Sequence, residues 1–425
     1  MRIDDTETQG AMLITGGAGF VGSNLAHALL TDGWPVVVLD NFSRAGVDRN
    51  AAWLRETHGD RIEIVAGDTR DSAAIQEALC RGESAGGRVA GVFHFAAQVA
   101  VTSSLRDPLH DFSVNVGGTI NLLEALRHLP SPPPLVSTST NKVYGELAGL
   151  ETRRVGDRYV PVDQMIADHG VSEEQGLDFR SPYGCSKGAA DQYVLEYART
   201  FGVPAAVFRM SCIYGPRQFG TEDQGWVAHF LISALRGAPI TLYGDGCQVR
   251  DCLYVDDLVR AFRLVHAGLS GAEGSKRAAL SGQAFNIGGG TCRAVSLLEV
   301  LETISGCLGR RPEVEFAPWR LGDQRFFVSD TRKFAAATGW APRVGVREGL
   351  GELLGWLRRS EAGSGACVEF LPLWVRGVQK PVVAGKGTAG EHVSAVDGTA
   401  QSKDGRGGGK DSGTPDVDVP KPCGN

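Results

Sequence analysis

The chain reads as an α/β protein: a doubly wound parallel sheet with a smaller C-terminal α/β part. Three observations predict this. From residue 11 to Arg209 short apolar runs bounded by turn residues alternate with longer amphipathic stretches, the signature of strand–helix–strand units with helices on both faces of the sheet. The first run, Ala11-Met12-Leu13-Ile14-Thr15, breaks directly into a glycine-rich turn that opens a helical stretch from Ser23 to Leu30. The second run, Pro35-Val36-Val37-Val38-Leu39, ends on an acid, Asp40.

Each element can be justified in order. The turn can be read as Gly17-x-Gly19-x-x-Gly22 or as Gly16-x-x-Gly19-x-x-Gly22. Either spacing permits a tight bend, close approach of backbone to a pyrophosphate and packing of helix on strand, while the helix N-terminus offers free N–H groups to phosphate. This is the first turn of a Rossmann-type fold. Asp40, at a strand end, can accept hydrogen bonds from both adenosine ribose hydroxyls and repels a 2′-phosphate, so NAD is favoured over NADP; nearby Arg44 could meet a phosphate. A third strand, Ile62-Glu63-Ile64-Val65, leads to Asp68-Thr69-Arg70, where Asp68 could reach the adenine amino group. Arg81 to Arg88 reads as a surface loop. The fourth strand, Val92-Phe93-His94-Phe95-Ala96-Ala97, ends in small residues that let backbone run beside the nicotinamide half, and His94 is expected to pack.

Chemistry concentrates further on. Ser181-Pro182-Tyr183 looks like a helix start, with Ser181 as cap and Pro182 at the first helical position. Lys187 follows Tyr183 by four positions, so phenol and ammonium share a helix face and the cation can favour the phenolate. Upstream lies Thr140-Asn141-Lys142-Val143-Tyr144-Gly145.

With these motifs in order over residues 11 to 358, the chain resembles the extended short-chain dehydrogenase/reductase family, and within it the nucleotide-sugar epimerases. The runs Gln98 to Ser104, Asn115 to Thr119, Ser139 to Gly145, Ser181 to Tyr193 and Arg217 to Val227 narrow the resemblance to the branch acting at C2 of CDP-linked sugars. The resemblance implies roles. Tyr183 would take the proton of the sugar hydroxyl, Thr140 would bond that hydroxyl and relay the proton, and Lys187 would bind the nicotinamide ribose and hold the phenol's pKa down. Asn115 would fix the lysine, and Gly16, Gly19, Phe20, Val21, Gly22, Asp40, Asn41, Ser43, Arg44, Asp68, Thr69, Ala96 and Ala97 would line NAD. Arg217, Gln224, Arg250, Arg320 and Asp323 would hold the nucleotide-diphosphate sugar, the arginines through paired charge-assisted bonds to phosphate.

Related sugar dehydratases carry Asp-Glu directly after the threonine; here Asn141-Lys142 stands there. An amide cannot take up a proton and a lysine has the wrong charge, so 4,6-dehydration is disfavoured and a redox-only epimerisation is expected. UDP-sugar 4-epimerases share the cofactor turn and the Tyr-Lys pair and are the alternative enzyme; a dinucleotide-binding sensor or scaffold is the non-enzymatic one. An intact Thr140, Tyr183 and Lys187 argue against the latter.

Composition fits a cytoplasmic enzyme. The 425 residues are 42% hydrophobic and 22% charged, with a formal net charge of −6, which leaves no electrostatic footprint for nucleic acid or anionic membrane. The acidic start Met1-Arg2-Ile3-Asp4-Asp5 is unlike a secretory signal. Nine scattered cysteines without CxxC spacing indicate neither a disulfide framework nor a metal site. The expected organisation is an NAD-binding domain over 11–210, to which 247–267 returns, a substrate part over 211–360, and a disordered tail over 363–425. A homo-oligomer is possible.

Overall fold

Seven short runs form one all-parallel sheet in the order 283–287, 205–210, 135–140, 89–94, 11–15, 36–40, 62–66. The computed structural model describes residues 10–271, 275–320 and 322–363. The expected tail lies outside them except for Gly363, the last residue of the helix Val346–Gly363. Burial on both faces explains why the strands read as continuous Val/Ile/Leu runs rather than alternating ones. One face packs Leu258, Phe262, Val265 and Phe334 against Phe93, Phe208 and Phe285. The other packs Ile75, Leu79, Leu122, Leu126 and Val194 against Leu13, Val37, Val92 and Val207.

The strand Ala11–Thr15 lies between Val36–Asp40 on one side and Val89–His94 on the other. Chain direction across the sheet reverses there, and in such sheets the crevice beyond the carboxyl ends of the strands at the reversal receives the ligand. Thr15, Asp40, His94 and Thr140 all end strands at that edge.

The helix Val255–Ser270 packs on this sheet, contributing Leu258, Val259, Phe262, Val265 and Leu269 to its core. The strand Gln283–Ile287, placed by the sequence in the substrate part, instead pairs in parallel with Ala205–Met210 as the sheet's edge. Helix Arg332–Thr338 also returns to it, through Phe334. The two parts are therefore threaded through one another: a boundary near residue 210 marks only the first crossing. Arg81–Arg88 is not a loop either. Helix Ser72–Gly86 runs through most of it, because Gly82 and Gly86 let the helix end lie directly on Val89 and on the backbone of Gly10 and Ala11, and Gly87 in the left-handed conformation closes it. Of Gly271–Arg277, residues 272–274 lie outside the described residues and Ser275 opens a short helix.

The region expected to form the substrate part has its own core of Phe230, Leu231, Leu242, Ile304, Leu350 and Leu353. Its central strand Val249–Tyr254 pairs with Cys212–Tyr214, Ala294–Ser296 and Phe326–Phe327. Among the described residues no helix is long and apolar enough to cross a membrane.

Candidate active site

Both readings of the glycine turn meet close approaches, for a Cβ on Gly17 would lie 2.7 Å from the Val38 side chain. Gly16 is left-handed (φ +68°), and a Cβ there would lie 2.7 Å from the Ala96 nitrogen; one on Gly22 would lie 2.4 Å from the Gly16 oxygen. Gly19 meets nothing closer than 3.1 Å and is the N-cap of helix Phe20–Thr31. That helix start has no capping side chain and no acid in its first turn. A bare helix N-terminus with glycine where a ligand must approach, beside the Ala96–Ala97 backbone, fits the diphosphate of a dinucleotide.

Asp40 accepts from the amides of Ala18 (3.1 Å) and Phe42 (2.9 Å). Burial pushes its carboxyl up, and these amides and Arg44 pull it back down. Arg44 is exposed yet feels both Asp40 and Tyr183: desolvation lowers its pKa, while Tyr183 and Asp40 oppose this. Asn41 donates to Asp68 at 2.7 Å and accepts from the Ser43 amide at 3.1 Å, so the adjoining strand ends carry one hydrogen-bonded rim. Asp68 is held well below the usual carboxylate range by its bond to Arg70. Thr69 is buried against Gly118. His94 is packed: its ring bonds Thr15 (2.7 Å) and Thr119 (3.0 Å), and burial drives its pKa down to about 3.

The catalytic candidates converge from a strand and a helix. Helix Ser181–Phe201 starts at Ser181 itself, one residue early, and Ser181 Oγ accepts from the Gly184 amide, the bond expected of a cap. The Tyr183 amide donates to Ser104 Oγ at 3.1 Å, which fixes the turn. Thr140 ends its strand close enough to the Tyr183 side chain to lower the phenol's pKa, and its Oγ1 donates to Asn141 Oδ1 at 3.3 Å. The Lys142 amide donates to Thr140 Oγ1 at 3.3 Å. Lys187 is buried and donates to the Thr138 carbonyl at 2.7 Å. Burial lowers Lys187 to about 8, with Asp191 and Asp111 opposing, and raises Tyr183 to about 12, with Thr140 and Arg44 opposing but Asp111 adding to the rise. The expected depression of the phenol by Lys187 is not seen: burial sets the direction, and the groups that oppose it are Thr140 and Arg44. Asn115 sits in a widened π-helical turn, Ser113–Gly117, and bonds Gln98, Asp111 and Ser186 rather than Lys187.

On the substrate side the charges are paired with each other. Arg250 donates to Asp323 at 2.7 Å, and Lys142 lies 3.5 Å from the same carboxylate and donates to the Gly322 carbonyl at 3.0 Å. Burial pushes Asp323 up but the two cations outweigh it. Arg320 lies over Tyr243 (3.8 Å) and beside Glu222 and Asp223 (3.7 and 3.6 Å). Gln224 forms a tight bridge with Thr221 just before helix Trp226–Arg236. Arg217 differs from its implied role. Its backbone is left-handed (φ +70°) and its guanidinium stacks 3.6 Å over Trp53 and faces Trp356, where cation–π attraction holds it.

Sequence reasoning missed several supporting residues. Asp191, one turn after Lys187, takes a buried bidentate pair from Arg209 (2.8 and 3.0 Å), and Gln324, fully buried, donates to the Gly145 carbonyl at 2.6 Å. The i,i+4 spacing of Lys187 and Asp191 was a signal for the first; nothing local marks the second.

Comparison with known proteins agrees with this geometry. Residues 12–288 match the model of the NAD dependent epimerase/dehydratase family. The chain is 41% identical over 350 residues to CDP-paratose 2-epimerase of Salmonella typhi, covering 81% of this chain and 98% of that one. It is 33% identical over 346 residues to UDP-glucose 4-epimerase of Mycolicibacterium smegmatis, covering 81% and 98%. Among solved structures, the Thermus thermophilus UDP-glucose 4-epimerase complex with NAD superposes with TM-score 0.65 at 32% identity, covering 82% of this chain and 99% of that one.

Proposed function

The chain belongs to the NAD dependent epimerase/dehydratase family, and from that premise we propose that it converts CDP-paratose to CDP-tyvelose by inverting C2. The observation carrying the reading is the triad: Thr140, Tyr183 and Lys187 meet at the ligand edge of the sheet, with Asn141-Lys142 where dehydration would need Asp-Glu. That the substrate is a nucleotide sugar fits the relatives; the CDP linkage and the carbon rest on the 41% identity to the Salmonella typhi enzyme.

NAD, held by Gly16, Gly19, Gly22, Asp40 and their neighbours, supplies a hydride acceptor that is later the donor, and a positive charge beside the phenol. Tyr183 takes the proton of the sugar hydroxyl as that carbon is oxidised, and Thr140 keeps the hydroxyl aligned with the phenol. Lys187, anchored on the Thr138 carbonyl, presents its remaining N–H groups to the cleft. The 2-keto sugar then offers its other face, and Tyr183 returns the proton to the same oxygen. Arg250 and Arg320 hold the diphosphate and Asp323 the nucleotide ribose while the sugar turns. A homo-oligomer belongs to the same proposal: Leu109 and Phe112, beside the catalytic helix, are 82% and 57% exposed.

The test is turnover of a panel of CDP-, UDP- and dTDP-sugars by NAD-loaded protein, followed by NMR. Inversion at C2 of CDP-paratose is expected; inversion at C4 of a UDP-hexose with none at C2 would replace this reading by the 4-epimerase one.

A further inference from the structure

Beneath the Tyr183–Lys187 turn lies a carboxylate that the reaction does not use. Asp111, on the short helix Pro108–Phe112, is 1% exposed. Its Oδ1 accepts from Gln98 Nε2 (2.7 Å) and Asn115 Nδ2 (3.3 Å), and its Oδ2 accepts from Ser186 Oγ (2.5 Å). Ser186 is the residue before Lys187, and its hydroxyl also lies 3.2 Å from the Tyr183 carbonyl. One buried carboxylate therefore ties together the loop after the fourth strand, the π-helical turn at Asn115 and the catalytic helix.

The contrast with Asp191 is informative. Both carboxylates act on Lys187, but Asp191 is already matched by the Arg209 guanidinium, whereas none of the described residues forms an ion pair with Asp111. Burying an unpaired carboxylate is costly, so a cation within its field is the compensation to look for. The charged groups facing it are Lys187 and Tyr183 on the catalytic helix, Arg44 beyond the phenol and His110 on its own helix, with His94 and the Asp191–Arg209 pair further around Lys187. We propose that Asp111 is a positioning residue that serves as the buried counter-charge of Lys187 and, through Ser186, sets the register of the Tyr183–Lys187 turn. This rests on the reading of Tyr183 and Lys187 as the catalytic pair.

A negative charge here favours the ammonium of Lys187, against the effect of burial, and opposes the phenolate of Tyr183, as Coulomb attraction and repulsion require. Removing it must move both ionisations towards acid. Asp111→Asn removes the charge and can keep the bonds: its oxygen accepts from Gln98 and Asn115, and its amide donates to Ser186 Oγ, whose proton turns to the Tyr183 carbonyl. Asp111→Ser removes the charge with a smaller side chain, and Ser186→Ala keeps the charge while cutting the contact.

The experiment uses NAD-bound protein. The phenolate absorbance of Tyr183, isolated by subtraction of Tyr183→Phe, is titrated alongside the pH profile of kcat/KM. Asp111→Asn and Asp111→Ser should each move the phenolate midpoint, and both limbs of the profile, towards acid by about half a pH unit or more. Ser186→Ala should lower the height of the profile without that acid shift. Unmoved midpoints in both charge-removing variants would overturn the proposal and leave Asp111 structural. Because the absorbance titration needs no sugar, failure of the substrate assignment would show as absent turnover with the phenolate shift intact.

Discussion

The cofactor edge and the substrate side of this cleft hold their charges differently. At the cofactor edge the groups nearest the glycine turn are fixed by backbone: the bare N-terminus of helix Phe20–Thr31, and Asp40 clamped by the Ala18 and Phe42 amides. Asp68, further out, is paired with Arg70. On the substrate side the charges are fixed by each other, Arg250 and Lys142 on Asp323, and Arg320 on Glu222 and Asp223. A ligand entering the first region completes a preset site. One entering the second must exchange ion pairs, so part of its binding energy goes into breaking them.

The comparison is broken most directly at the residue between the regions. Tyr183→Phe should lower kcat by about a thousand-fold or more while NAD stays bound, since only the proton-transfer oxygen is lost. Substantial residual turnover would remove the phenol from the mechanism. Next in size, Arg250→Ala should raise KM by about 10- to 100-fold, the worth of a charge-assisted bond to phosphate, and leave NAD affinity unchanged. Loss of NAD together with substrate affinity would mean that the two regions are not independent.

Asp40→Ala tests the preset side. It should cost roughly ten-fold in NAD affinity and narrow the preference over NADP by a similar factor, measured by binding titration. An unchanged ratio would place specificity elsewhere, Arg44 first. The smallest effect belongs to the exposed pairs. Glu222→Gln with Asp223→Asn should change unfolding free energy by no more than about 0.5 kcal/mol, because solvent-exposed pairs contribute little, while freeing Arg320 should leave KM equal or lower. A raised KM would show that these acids hold Arg320 in its working position.

The same division explains what the sequence disclosed. The cofactor edge is written locally: a strand, a turn and a helix in one run, and Asp40 at the end of the next strand, so spacing alone located it. Tyr183 and Lys187 share one helix face and were equally legible. The substrate side depends on contacts between residues far apart, such as Lys142 with Asp323 and Gln324 with Gly145, which no local period encodes. Arg217 shows the risk of reading a role from a matching run: its left-handed backbone sends the guanidinium to Trp53. Gln283–Ile287 went to the wrong part because an apolar run announces a strand without naming the sheet it joins. Asp111 stayed hidden because a single acid in a short helix looks like surface until its burial is known.

The central claim is that the carbon oxidised is C2 of a CDP-linked sugar and that its hydride returns to the same carbon. CDP-paratose deuterated at C2, incubated with NAD-loaded protein and followed by NMR and rate, should give CDP-tyvelose that keeps the label, with a primary isotope effect if hydride transfer limits turnover. A primary effect from deuterium at C4 instead, or loss of the C2 label to solvent, would contradict the account.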